Sequence, residues 1–284
     1  MATALVTGCS TGIGSPPLYG SPPRASTCWP RCAVPTPTDP HCSKRPTRPV
    51  RPYGSAARRN RRRLDSTRVH QAGDVDLVVN NAAIMWFGST EETDVDRWAE
   101  VFDTNLFGAV RCMRVALPGF RARGGGCIIN ISSAAGSVAL PAISAYASSK
   151  AALEAASEMV AMEGHQHNIR VVVIQTGATA TAIGAKGKTP NRDSPYWASM
   201  RNTLTFLAAQ QPSISSPDEI AAAVAQAAVD PTTPFRLAVG QGSAELIQAL
   251  SAMTDAEWIA TAGGTTDTFT SRYQQATGIN LRPR

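Results

Sequence analysis

Five short apolar runs dominate the chain: ATALVT at 2–7, DVDLVVNNAA at 74–83, CIINIS at 127–132, IRVVVIQTG at 169–177 and FRLAVG at 235–240. In the three runs at 74–83, 127–132 and 169–177 the apolar residues continue without the every-other-residue polar pattern of a half-exposed strand, so both faces must be covered, as in a central parallel strand, while 2–7 and 235–240 read as the first and final strands. Between several of them lie stretches with a helical period. Residues 93–122 set Trp98, Val101, Phe102, Leu106, Val110, Met113 and Leu117 on one side, and a helix is expected from Tyr146 to about Glu163. Ser216-Pro217-Asp218-Glu219 is a capping box that opens an alanine-rich helix to about Val229, and Thr254 caps a short helix after it. Parallel strands alternating with crossover helices imply an α/β fold, a doubly wound parallel sheet. With 284 residues and 43% apolar content, one domain over 1–262 is expected, followed by a loose polar tail at 263–284.

One segment breaks the alternation. Between residues 15 and 53 there are eleven prolines and no helical or strand period, and Arg58-Arg59-Asn60-Arg61-Arg62-Arg63 follows. Such a composition cannot bury enough apolar surface to offset its ordering entropy, so residues 15–70 are expected to be irregular or disordered. The net charge of +6 belongs to this segment, which carries +10 by itself and leaves −4 for the remainder. A genuine basic arm would be an anion-binding patch; without interleaved aromatics or a second nucleic-acid motif, no nucleic-acid partner is expected. Cys28, Cys32, His41 and Cys42 fit none of the usual zinc spacings, and no metal is expected. Cys9, Cys112 and Cys127 read as small core residues. No run reaches the roughly 18 to 20 apolar residues of a membrane span, and the first strand begins near Met1; a soluble cytoplasmic protein without a secretion signal is the expectation.

The chemistry concentrates between Cys127 and Ala152. A strand over CIINIS delivers Ser132 and Ser133 at its carboxyl end, and a spacing of four places Tyr146 and Lys150 one turn apart on one helix face. Alone, Tyr146 and Lys150 would be an ordinary helix-surface pair. At the other end of the chain, the first strand runs into Gly8, Gly12 and Gly14, a loop whose backbone can approach a pyrophosphate while the following helix offers its N-terminal N–H groups.

Taken together, Thr7-Gly8-Cys9-Ser10-Thr11-Gly12-Ile13-Gly14, Asn80-Asn81-Ala82-Ala83, Asn105 within Thr104-Asn105-Leu106-Phe107-Gly108, Ser133 and Tyr146-Ala-Ser-Ser-Lys150 resemble the short-chain dehydrogenase/reductase family in order and spacing. The resemblance covers residues 1–14 and about 71–245. It implies an NAD(P)-dependent oxidoreductase acting on a small-molecule alcohol or ketone, NAD versus NADP being open because no residue at 15–70 can be assigned to the adenosine ribose. By resemblance, Tyr146 is the acid/base, Lys150 its activator and a holder of the nicotinamide ribose, Ser133 the carbonyl orienter and Asn105 the anchor of a water relay. Gly8, Ser10, Gly12, Ile13, Gly14, Asn80, Ala82, Tyr146, Lys150, Gly177, Thr179 and Thr181 would contact the cofactor. A homodimer or homotetramer through the two long helices is implied as well. The physical expectation for the activation is that an ammonium about 4 Å from the phenol supplies the roughly 4 kcal/mol needed to lower its pKa by about three units. Residues 178–215, rich in Thr, Gly and Pro with apolar islands at Tyr196, Trp197 and Phe206, suggest a mobile lid.

The family's usual pattern departs at 15–70, where a helix-strand-helix unit is expected but its composition is lost at normal length. Translation of that stretch out of frame would produce such a change, and the other two reading frames of the gene test it. A chain so altered could instead be an inactive remnant with impaired cofactor binding, acting at most as a binding module.

Overall fold

The computed structural model describes residues 4–8, 27–28, 75–181, 183, 191–210, 214–240 and 242–281. In chain order these form β1 Ala4–Val6, β2 Thr27–Cys28, β3 Leu77–Asn80, α1 Val95–Phe102, a π-helical turn Asp103–Phe107, α2 Gly108–Arg123, β4 Gly126–Ser133 and α3 Ser144–Gly164. There follow β5 Ile169–Thr176, α4 Trp197–Gln210, α5 Pro217–Val229, β6 Arg236–Val239, α6 Ser243–Ser251, α7 Asp255–Ala262 and α8 Thr266–Thr277.

The strands form one parallel sheet in the order β2-β1-β3-β4-β5-β6. The two-residue period of each strand sends neighbouring side chains to opposite faces. Leu5, Val78, Ile128 and Val171 join Met113 and Phe120 of α2 on one side. On the other, Val6, Val79, Ile129 and Val172 meet Ile220, Val224 and Ala227 of α5. Covering both faces is the reason the apolar runs do not alternate, and each fully buried Val, Leu or Ile stabilises the fold by about 1.5–3 kcal/mol. Cys112 and Cys127 are buried in these layers. The Ser216 hydroxyl caps α5 by accepting from Glu219 N, and Thr254 with Glu257 forms a reciprocal capping box on α7.

Three local expectations change. The stretch after Gly263, expected to be loose, contains α8, because Phe269 and Tyr273 recur at helical spacing and are completely buried among Phe206, Leu246 and Trp258. The 178–215 stretch contains α4, whose Met200 and Phe206 are buried. Within 15–70, read as irregular, Thr27–Cys28 pairs with Leu5 and Val6 of β1; residues 9–26 and 29–74 lie outside the described residues. The C-terminal tail has few apolar residues and those of α4 are not gathered on one face, and it is their shared core that orders them.

Candidate active site

β4 and α3 bring the reacting groups together. Ser133 ends β4, opposite Thr176 of β5, and caps the short 3-10 turn Ala134–Gly136 by accepting from Ala135 N at 3.2 Å. Ala142, buried with a left-handed φ of 71°, turns the chain into α3, and Tyr146 sits in that helix's first turn. Tyr146 and Ser133 line one cavity, and the Ser133 hydroxyl acts on the phenol there. Burial pushes the pKa of Tyr146 up, and the Ser133 hydroxyl only partly pulls it back.

Lys150, one turn on, is 2% exposed and donates from Nζ to Ile131 O at 2.7 Å. Its Nζ lies 5.7 Å from the centroid of the Tyr146 ring. Desolvation lowers its pKa to about 8, against the opposing field of Glu154. In this structure the ammonium is engaged with a backbone carbonyl, and desolvation is the larger influence on the phenol.

The two adjacent serines part company. Ser132 turns to Glu154, donating to Oε1 at 2.7 Å, whereas Ser133 lines the same cavity as Tyr146. Asn105, 1% exposed, lies in the π-helical turn. Its Oδ1 accepts from Ile84 N at 2.8 Å, and its Nδ2 donates to Ile84 O and to Ser149 Oγ at 2.9 Å. Ser149 Oγ in turn donates to Tyr146 O, so Asn105 is tied to the first turn of α3 through one hydroxyl. Single π turns inside helices recur at functional sites, and this one sets the side chain beneath the Tyr146 turn.

At the carboxyl ends of β1 and β3 the backbone is brought unusually close. Gly8 has a φ of 71°, and a Cβ there would lie 2.7 Å from Ala82 Cα. Asn81 Nδ2 donates to the carbonyls of Thr7 and Gly8 at 3.1 Å, while Asn81 N and Ala82 N donate to Thr7 Oγ1. Only glycine fits this notch, as the dinucleotide reading requires at the first position of the loop. Ser10, Gly12, Ile13 and Gly14 lie outside the described residues. Asn80, expected to touch the cofactor, instead donates from Nδ2 to Asn130 Oδ1 at 2.7 Å, and Asn130 donates to Ser157 Oγ. The strand period turns Asn80 into this buried network beneath α3 and leaves Asn81 to bind β1. Gly177 N donates to Val239 O, and Thr179 pairs with Ser215. Gly177, Thr179 and Thr181 line a cavity of about 550 Å³ together with Ser133 and Tyr146.

Several functional neighbours escaped the sequence reading. Ser149 and Glu154 follow Tyr146 by three and Lys150 by four, spacings that could have flagged them. Glu154, buried at 4%, accepts from Ser132 Oγ, Gln175 Nε2 and Arg236 Nε. Of the apolar islands in the expected lid, Phe206 lines the cavity; Tyr196 instead donates to Glu91, and Trp197 stacks under Arg192.

A sequence model of the short chain dehydrogenase family matches residues 55–191. The chain is 33% identical to the uncharacterized oxidoreductase YusZ of Bacillus subtilis over 159 residues, 54% of this chain and 57% of that protein. It is 29% identical over 189 residues to the uncharacterized oxidoreductase SPAC977.08 of Schizosaccharomyces pombe, covering 66% and 80%. A solved short-chain dehydrogenase from Streptomyces avermitilis superposes with a TM-score of 0.67 at 25% identity, over 89% of this chain and 94% of that one. In sequence and fold alike these matches support a short-chain dehydrogenase/reductase family protein. A second family structure, from Burkholderia cenocepacia and in complex with NADP, shares the fold with a TM-score of 0.63 at 20% identity, over 91% and 95%. The family's cofactors are NAD and NADP, and the close glycine turn at Gly8 together with the cavity lined by Ser133, Tyr146, Gly177 and Thr179 is compatible with such a cofactor. Among the described residues no helix is long and apolar enough to cross a membrane.

Proposed function

We propose that this short-chain dehydrogenase/reductase interconverts a ketone and a secondary alcohol with NAD or NADP, Tyr146 being the acid/base. The observation that carries the reading is that Ser133 and Tyr146 line the same cavity wall, with Lys150 one turn behind Tyr146. When bound, the nicotinamide supplies or accepts the hydride. The chain's own residues handle the proton and the orientation. A substrate carbonyl oxygen placed between the two hydroxyls accepts a hydrogen bond from Ser133, which fixes its direction, and receives the Tyr146 proton as it becomes an alcohol. A phenol whose pKa is raised by burial keeps that proton at neutral pH, which favours the reductive direction. Lys150 contributes positive charge at Ile131 O and beside the phenol, so a tyrosinate formed on proton release is stabilised. Asn105 holds the helix turn that carries Tyr146 through Ser149.

Gly8, Ala82, Tyr146, Lys150, Gly177, Thr179 and Thr181 would hold the cofactor, with Ser10, Gly12, Ile13 and Gly14 completing the phosphate loop. A dimer or tetramer built on α2 and α3 would cover Met159 and Met162, which are 50% and 62% exposed on α3. The composition of residues 15–53 supports a second reading, an inactive remnant that binds no cofactor. Titration with NADH and NADPH by fluorescence separates the two, saturable binding favouring the enzyme. Replacing Tyr146 by Phe is expected to lower kcat at least about 10²-fold, the usual worth of a positioned acid; unchanged turnover would overturn the assignment.

A further inference from the structure

The cavity's walls are more specific about the substrate than its reacting end. Leu140 and Ile143 come from the loop before α3, Phe206 and Leu207 from α4, Ile214 from the segment before α5, and Leu246 from α6. Several hydroxyls in the lining are already used. Thr176 Oγ1 donates to Ser132 O at 3.1 Å, Thr179 Oγ1 to Gly177 O at 3.2 Å and Thr203 Oγ1 to Pro141 O at 2.6 Å. Their methyl groups remain for the ligand, and the lining's other hydroxyls are those of Tyr146, Thr181 and Ser133, the last donating only weakly to Thr176 O at 3.4 Å. Behind the apolar wall, Phe206 meets Tyr273 of α8 edge-on with ring centroids 5.7 Å apart, and Leu246 belongs to the same buried cluster. The wall is thus backed by a packed second layer, which keeps the hollow from collapsing around a small ligand.

We propose that the substrate is an uncharged ketone, or the matching secondary alcohol, with an extended hydrocarbon body and no polar group beyond the reacting oxygen. The proposal rests on Ser133 and Tyr146 marking the reacting end. A hydrocarbon chain leaving that end exchanges water for side chains of the six residues named above, whereas a carboxylate carried at its far end would lose hydration with no cationic side chain among the described lining residues to receive it.

The experiment measures equilibrium binding of 2-alkanones from hexan-2-one to decan-2-one by calorimetry. It uses the full chain in the presence of NADP+ and, separately, NAD+, so that no ketone is consumed, alongside the oxo acids of matching length with the carboxylate at the far end. Affinity is expected to rise about fourfold per added methylene, with each oxo acid at least about tenfold weaker than its ketone. Leu246→Ala should flatten the rise for the longer ketones while leaving the shortest unchanged, and the thermal midpoint of the variant verifies that it folds. Affinities independent of chain length, oxo acids binding as well as ketones, or no ketone binding at all would overturn the proposal. Length-dependent binding without turnover would leave it standing and remove the catalytic reading instead.

Discussion

Lys150 imposes a stability cost whose size can be worked out from its surroundings. The ammonium is 2% exposed, and desolvation takes its pKa from an ordinary 10.5 to about 8 in the folded protein. Below pH 8 both folded and unfolded chains carry the proton, so folding bears the full penalty. As pH rises from 8 towards 10.5, the folded chain has released the proton and the unfolded chain has not, and the penalty fades. At about 1.4 kcal/mol per unit the full effect is about 3 kcal/mol, of which about 2.5 kcal/mol is relieved between pH 7 and pH 10. Lys150→Met removes the titration and leaves Ile131 O without its 2.7 Å donor, a loss of about 1–3 kcal/mol. The variant should therefore match or exceed the wild type by up to about 2 kcal/mol at pH 7, and match or fall below it by up to about 2 kcal/mol at pH 10. Urea unfolding midpoints of both proteins, measured at intervals across that range, give the difference directly, and titrations common to both cancel. A difference that stays constant with pH would refute the claim that the lysine is held in a desolvated site.

Other substitutions test the architecture around it. Gly8→Ala would place a Cβ 2.7 Å from Ala82 Cα at a left-handed φ, and should cost at least about 2 kcal/mol in denaturant stability and weaken NADPH binding in a fluorescence titration. Glu154→Gln removes the charge that accepts from Ser132, Gln175 and Arg236; a loss of about 3 kcal/mol is expected in chemical denaturation. Tyr273 Oη is buried with no hydrogen-bond partner among the described residues, so Tyr273→Phe should raise the unfolding free energy by about 1 kcal/mol.

The sheet and the reacting groups were legible because their signals are local. Unbroken apolar runs mark β3, β4 and β5, and the spacing of four fixes Tyr146 and Lys150 on one helix face. What was not legible depends on contacts between distant parts of the chain. Asn80 and Asn81 look alike in sequence, yet pleating sends one to Asn130 and the other to Gly8, and only the register with β1 and β4 decides which. The direction of the Tyr146 shift could not be read from Lys150 because burial and the Ile131 carbonyl are properties of the assembled fold. α8 escaped notice since its polar residues outnumber the two aromatic rings that anchor it, and those rings find their partners in α4 and α6. The family model's match begins at residue 55, so the first fourteen residues rest on their motif and on the fit of Gly8 against Ala82.

Chemistry and appetite are carried by different stretches of this chain. The proposed proton-handling groups hang from β4 and α3, whereas much of the apolar wall of the cavity comes from Trp197 onward and is backed by α8. Mutation can therefore retune which molecules are admitted, even through residues near the carboxyl terminus that never touch them, without disturbing the machinery that moves the proton. Such a division of labour lets one reaction be passed on intact while its diet diversifies.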